Sequence, residues 1–577
     1  MALPRQSVFP GALESAYRAQ LSDLVNGEAV RRLWAKDDSL WPADHAQRKV
    51  LQTNLRWLDL PNQIGPYMAR VATFANEIEA EGFQDAVFVG MGDSNLAAET
   101  IASLSLPKRW KRIFILDTTD PGAVRAFKSE ANLERTLFIF ASKTGKRIES
   151  HVLLLYFLEI LKARGVEEPG RQFVAVTEEG SYLAQVAKQY QFRGIFFDPP
   201  GISGRYSALI HFGLLLSGLC RTAPTNLLLA ATSMNDLCRH GDLRETNPAL
   251  NLAAFLASGA TQGSDRLLLF GTASLAGLTH RVAQLVGVST SKGGQGIIPI
   301  CVEVPCVFDA YRHGCQAAIF SMHGDEDSGV RQVAHELQDA GIPCVLIELD
   351  SPEDLAAELF KWEVATALAC ALLEVNPFDE PDILESTSKA AAMLERLARR
   401  RDLAERTVRL SESGIDLYAE GQARQQISTL SLPDALRTFF DAKKPDGYLA
   451  TLAFLDRSAP NLRAALRRMG DQISSHLGIP ALLSFGPRYL HHLGQVFQGG
   501  PSKGIFMMLT GEPTEDIPIP GAGYSFGQLQ LALALGDFET LTQHQKPVVR
   551  LHLTEGVEQG LPKLERILRE ALNIPDS

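Results

Sequence analysis

The sequence predicts an α/β protein: two doubly wound, parallel-sheet lobes built as α/β/α sandwiches, followed by a smaller C-terminal α/β unit. Two observations carry this. From about residue 86 the pattern strand, turn, helix repeats through "AVFVGMGDSNLAAETIASL", "RIFILDTTDPGAVRAF", "LFIFASKTGKRIES", "QFVAVTEEGSYLAQVAKQ" and "GIFFDPPG". The strands are unbroken apolar runs rather than alternating ones, as strands buried on both faces of a parallel sheet require. After a helical stretch over about 204–262 the pattern resumes with "RLLLFGTASLAGLTHRVAQLVG", "AAIFSMHGDEDSGVRQVAHELQDAG" and "PCVLIELDSPEDLAAELFKWEVATALACALL".

Taken in order, residues 1–80 read as a helical segment, from amphipathic runs such as "ALESAYRAQLSDLV". Residues 81–255 form the first lobe and 256–410 the second; "NPFDEPD" punctuates the latter and a charged amphipathic helix closes it. Residues 411–577 form the C-terminal unit, whose strands "GYLATLAFLD", "ALLSFG", "GIFMMLT" and "VVRLHLT" begin at about 445.

Composition narrows the function. The chain has 577 residues, 45% hydrophobic and 21% charged, with a formal charge of −11. That balance argues against nucleic acid or an anionic membrane as partner, while leaving room for a small anion held by a local basic loop. No apolar run reaches the roughly 18 residues of a spanning helix, and the first residues lack the charged start and apolar core of a secretion signal. Seven cysteines, at 220, 238, 301, 306, 315, 344 and 370, form no C-x-x-C pair and no zinc spacing. They read as small core hydrophobes of a cytoplasmic protein without metal or cofactor.

The stretch of chemical interest is "LFIFASKTGKRIES" (137–150). A buried strand empties into Ser142, Lys143, Thr144 and Gly145 just before a long helical pattern. Helix-start amides are unpaired and carry partial positive charge, so this arrangement suits an anion. Lys146 and Arg147 add charge; the competing reading is a turn with capping hydroxyls and solvated cations.

Three stretches in order, "VGMGDSNLA" (89–97), "SKTGKRIES" (142–150) and "GRYSA" (204–208), together with "STSKGGQGIIPI" (289–300) and "NPFDEPDI" (376–383), resemble the glucose-6-phosphate isomerase family of two-lobed sugar-isomerase (SIS) proteins. "FGPRYLHHLGQ" and "PIPGAGYSFGQLQLALALGD" look like the tail of the isomerase half of transaldolase–isomerase fusions. The resemblance implies a sugar 6-phosphate ligand (glucose 6-phosphate or fructose 6-phosphate), its phosphate cradled by Ser142, Lys143, Thr144 and Arg147, with Gly92 and Ser94 in the family's Gly-Gly-Ser turn. Asp93 stands there in place of the second glycine. Arg205 matches the arginine that stabilises enediolate charge; the competing reading is an arginine paired with an acid such as Asp198. The family's phosphate-binding Gln is here Glu380. Its catalytic Lys falls on Thr387, so that Lys389 serves only with a local insertion. His313, in "FDAYRHG", is a match for a ring-opening His supplied across a homodimer interface, and is equally a surface His.

Isomerisation moves a proton between C1 and C2, and the family supplies the base as a Glu just before its Ser-x-x-Lys segment. Here that position is Val288, which cannot accept a proton. Glu303, the nearest downstream carboxylate, lies too far along for a simple substitute. The expectation is a phosphosugar-binding protein with isomerase chemistry lost or reduced, acting as a sensor or as a subunit beside an enzyme of sugar-phosphate metabolism. The alternative is an active isomerase with substitute acid–base residues; a different reaction on a related phosphosugar, in a pocket reshaped by Asp93 and Arg147, stays open.

Overall fold

The computed structural model describes residues 3–574, apart from 64, 104–109, 208–214, 216–217, 220–223, 241–245, 303–308, 312, 326–328, 401–406 and 428–430. The chain begins with a strand, β1 (Arg5–Phe9), where the sequence reads as helix. Helices fill most of the following segment to Ala80.

The first lobe is a fully parallel sheet of β2 (Asp85–Gly90), β3 (Arg112–Leu116), β4 (Thr136–Ala141), β5 (Phe173–Glu178) and β6 (Gly194–Asp198), in the order β3-β2-β4-β5-β6. Every residue of β2 and β4 is buried, as their continuous apolar runs require. The chain leaves β2 toward one edge and returns on its other side at β4. The switch point therefore lies between these two strands, and the crevice outside their carboxyl ends is where a ligand fits in such sheets.

The second lobe repeats this winding with β7 (Arg266–Gly271), β8 (Ile298–Val302), β9 (Cys315–Met322) and β10 (Cys344–Leu349). Its order is β1-β10-β9-β7-β8, and β1 adds antiparallel to the β10 edge, Arg5 opposite Glu348 and Phe9 opposite Cys344. The C-terminal sheet holds β11 (Leu410–Glu412), β12 (Ile415–Ala419), β13 (Tyr448–Ala453), β14 (Ala481–Phe485), β15 (Gly504–Gly511) and β16 (Val548–Leu553), ordered β11-β12-β16-β15-β13-β14. Its four parallel strands wind as in the lobes, and a hairpin, β11–β12, caps the β16 edge antiparallel. Neither that hairpin nor β8 is among the strands read from sequence.

One apolar cluster joins the N-terminal helices to both lobes, from Leu33 and Trp57 through Leu267 to Trp362. A second runs from Phe138 and Tyr156 through Ile319 to Phe526 and ties the C-terminal unit to both lobes; a third is private to that unit. The helix Asp354–Leu372 is buried almost all round, which is why "VATALACALL" reads as a continuous apolar run. No helix among the described residues is long and apolar enough to cross a membrane. Of the cysteines, 238, 301, 315, 344 and 370 are free, and burial pushes each thiol up, to about 12 at Cys238, Cys301 and Cys370. Such thiols stay protonated. Cys220 and Cys306 lie outside the described residues.

Candidate anion site

Strand β4 delivers Ser142 to the switch point, and the helix Ile148–Ala163 leaves it. The connecting loop is anchored through its carbonyls. The Thr177 hydroxyl donates to the carbonyls of Ser142 and Lys143 at 2.7 and 3.0 Å. The Glu178 amide donates to Lys143 O and the Tyr182 amide to Thr144 O. A trans peptide sets each N–H opposite the preceding carbonyl, so the amides of Lys143 and Thr144 face away from the β5 end. Ser142 Oγ accepts from Gly145 N at 3.0 Å and closes the turn. The following helix has Arg147 at its N-cap and no side-chain cap, so no side-chain oxygen takes its first amides.

This loop forms one wall of a cavity of about 360 Å³. Its lining includes Ser142, Lys143, Thr144, Arg147, Asp198, Arg205, Arg281 and Glu380, four cations against two carboxylates. Lys146 is exposed. Arg281, in the helix Ala276–Thr290 of the second lobe, is a residue that no motif indicates. Its Nη2 donates to the carbonyls of Gly204 and Arg205 and its Nη1 to Gln284. It holds the turn Gly204–Tyr206 in place from across the lobe boundary.

Arg205 is buried, and its bonds go to the turn 376–380. Its Nε and Nη2 donate to Pro377 O at 3.3 and 3.0 Å, Nη2 also to Asp379 O at 2.9 Å, and Nη1 to Glu380 Oε2 at 3.1 Å. The competing reading paired Arg205 with an acid such as Asp198; an ion pair is seen with Glu380, which the turn carries to the cavity wall. Burial raises the Glu380 carboxyl, but Arg205, then Arg147, hold it below the usual carboxylate range. It stays ionised, an acceptor of hydrogen bonds that repels an anion.

Other expected residues sit elsewhere. Gly92 has φ +74° and is not among the lining residues; a Cβ there would lie 2.8 Å from the carbonyl oxygen of His491. It is a point of close approach for the C-terminal unit. The side chains of Asp93 and Ser94, which open the helix Asp93–Ser103, lie outside the described residues, as does Glu303. Val288 is buried near the end of the helix Ala276–Thr290, off the cavity wall. Lys292 Nζ donates to the carbonyls of Val288 and Ser289 at 2.9 and 2.6 Å, closing that helix end. Burial and the nearby Arg205 push Lys292 down to about 8. Lys389 is committed to a brace between helices: its Nζ bonds Glu385 at 2.7 Å, Gln543 at 2.6 Å and Thr540 at 3.2 Å. Thr387 bonds back into its own helix. His313 is exposed just before β9, at the amino end of the second sheet and not on the cavity wall of its own chain.

A residue that sequence reasoning quoted without a role does reach the site. His491, in "FGPRYLHHLGQ", bonds Arg147 Nη1 through Nδ1 and Glu149 Oε1 through Nε2 at 2.9 Å. Gln284 Nε2 donates to its carbonyl at 2.7 Å. Burial and the Arg147 charge hold the His491 ring below the ordinary histidine range, so it is neutral. Burial raises the Glu149 carboxyl, but the bond from His491 and the charge of Arg147 hold it below its usual range.

No family model matches the chain. It is 26% identical over 293 residues to the glucose-6-phosphate isomerase of Prochlorococcus marinus (strain MIT 9211), a match covering 49% of this chain and 52% of that protein. To the glucose-6-phosphate isomerase of Acaryochloris marina it is 24% identical over 412 residues, covering 63% of this chain and 74% of the relative. Among solved structures, a glucose-6-phosphate isomerase from Chlamydia trachomatis aligns with a TM-score of 0.53 at 17% identity, over 66% of this chain and 86% of that one. The chain spans about half the length of the Prochlorococcus relative. Five ordered motifs and these relatives agree in one likeness, to the glucose-6-phosphate isomerases, and the Chlamydia structure shows that the chain shares their fold.

Proposed function

We propose that the cavity takes a sugar 6-phosphate, glucose 6-phosphate or fructose 6-phosphate, and that efficient isomerisation has been lost. The observation that carries this reading is the split between two sets of residues. Ser142, Lys143, Thr144, Arg147 and Arg205 share one cavity wall, whereas Val288, Lys389 and His313 are not among its described lining. Backbone amides, hydroxyls and guanidinium groups are what a phosphate monoester binds. A valine at the base position supplies no proton acceptor, and losing one general base costs about 10²–10⁴-fold in rate.

The division into lobes 81–255 and 256–410 with a unit 411–577 belongs to this reading, as does a homodimeric cytoplasmic protein serving sugar-phosphate metabolism. A second copy would be needed to bring His313 to the cavity. One observation favours the alternative, an active isomerase: the wall carries two carboxylates, Asp198 and Glu380, either of which is a substitute base.

A coupled isomerase assay on the purified protein separates the two. The expected result is turnover far below the enzyme median of about 10 s⁻¹, with glucose 6-phosphate raising the melting temperature and glucose leaving it unchanged. Turnover near that median overturns the loss of chemistry. The absence of any thermal shift with phosphosugars overturns the site.

A further inference from the structure

We propose that His491 is a positioning residue of this anion site: its neutral ring, brought over by the C-terminal unit, holds the Arg147 guanidinium on the cavity wall. The inference rests on the cavity being the phosphate site, and it gives the C-terminal unit a part in binding. Arg147 has only hydrogen-bond donors, so Nδ1 of His491 must be the acceptor between them. The ring proton is then on Nε2, where it donates to Glu149 Oε1 at 2.9 Å. One tautomer satisfies both contacts.

The placement of the ring is over-determined. Gly92 leaves room for His491, whose carbonyl oxygen and Cβ a side chain at position 92 would meet at 2.8 and 2.9 Å. Gln284 of the second lobe bonds its carbonyl at 2.7 Å. Lobe one, lobe two and the C-terminal unit therefore fix a single imidazole between them. The charged groups facing it are Arg147 and Glu149 from the first lobe and Glu380 from the turn 376–380. The adjacent His492 turns away, its Nε2 2.9 Å from the His280 carbonyl.

Protonating Nδ1 replaces the acceptor with a donor facing a guanidinium. Arg147 then loses its holder and gains a like charge beside it. Phosphate binding should therefore weaken as His491 takes up a proton, below the ordinary histidine pKa of about 6.5. The phosphate ester itself titrates near about 6, so the histidine contribution must be read as a difference between variants. Gln can replace His here, because one amide offers both an acceptor for Arg147 and a donor for Glu149.

Calorimetric titration of the full chain with glucose 6-phosphate and with inorganic phosphate, from pH 5 to 8, tests this on wild type, Arg147→Ala, His491→Phe and His491→Gln. His491→Phe should weaken both ligands about tenfold, and His491→Gln should stay within about threefold of wild type at pH 8. Below pH 6.5 wild type should lose affinity more steeply than His491→Gln, whose profile follows the phosphate alone. Binding by His491→Phe equal to wild type, with Arg147→Ala impaired, overturns the positioning role and leaves the site reading intact. Wild type that binds neither ligand overturns both. Should His491→Phe fail to fold, parallel pH profiles for wild type and His491→Gln overturn the proposal.

Discussion

Lys146 and Arg147 are neighbours in sequence and opposites in environment. Lys146 is exposed, while Arg147 is partly buried, lines the cavity and meets His491. On the proposed reading, a charge-assisted bond from Arg147 to phosphate would contribute about 1.5–3 kcal/mol. Arg147→Ala should therefore cost roughly 10–150-fold in phosphosugar affinity, whereas Lys146→Ala should change it less than about twofold. Equilibrium titration of the two variants checks the pair, and comparable losses from both would put the guanidinium in solvent. The same contrast separates Arg205, which matches a family position, from Lys389, which reaches one only with a local insertion: one lines the cavity and the other braces two helices.

At the scale of the element, the strand–loop–helix 136–163 works because its turn is forced. Gly145 has φ +71°, and a Cβ there would sit 2.4 Å from the Leu183 amide nitrogen. Both the left-handed backbone and the close approach exclude a side chain. Gly145→Ala should destabilise the fold by about 1–3 kcal/mol and weaken phosphate binding as the amides of Lys143 and Thr144 shift. Urea denaturation alongside the titration checks this, and an unchanged midpoint would show that the turn tolerates a β-carbon. Further along the chain, the turn 376–380 has its shape from Arg205, which ties three of its residues from the other lobe.

Across the whole molecule, the C-terminal unit docks on the first lobe through buried charge. Arg488 pairs with Glu99 and Asp117, and Arg457 reaches Glu99 at 2.8 Å. Burial raises Glu99, but Arg488 and Arg457 hold it well below the carboxylate range. Beside this network two carboxylates oppose each other: burial first, then Asp456, pushes Asp120 up to about 6 from 3.8. A carboxyl raised on folding contributes stability that is full below 3.8 and lost as pH rises through about 6. Asp456→Asn removes the like charge and keeps an acceptor for Ser458, whose amide donates at 2.8 Å. The variant should be more stable than wild type by about 0.5–1 kcal/mol at pH 8, allowing for solvent screening, and little different at pH 4. Thermal melts at the two pH values test the sign; a gain at pH 4 alone would contradict it.

The sequence by itself determined the α/β class, the strands of the first lobe and the loop 142–147, because each rests on local pattern: an apolar run, a glycine, hydroxyls before a helix. Register within one motif set Val288 against the family's base, and in the structure that residue is buried off the cavity wall. The edge strand β1 was not legible, because "RQSVF" alternates like any short polar segment and becomes a strand only by pairing with β10. The same holds for the hairpin β11–β12, which takes its place from β16. Only the tertiary structure decided the membership of the site. Arg281 and His491 lie about 130 and 340 residues beyond the loop, and although His491 falls in a quoted stretch, nothing there ties either residue to that loop. Gly92, read from sequence as part of a ligand turn, is also the gap that admits His491. Sequence spacing carries a chemical pattern along one segment; which cations surround a common anion depends on how separate sheets pack, and that packing is set by apolar clusters shared among all three units.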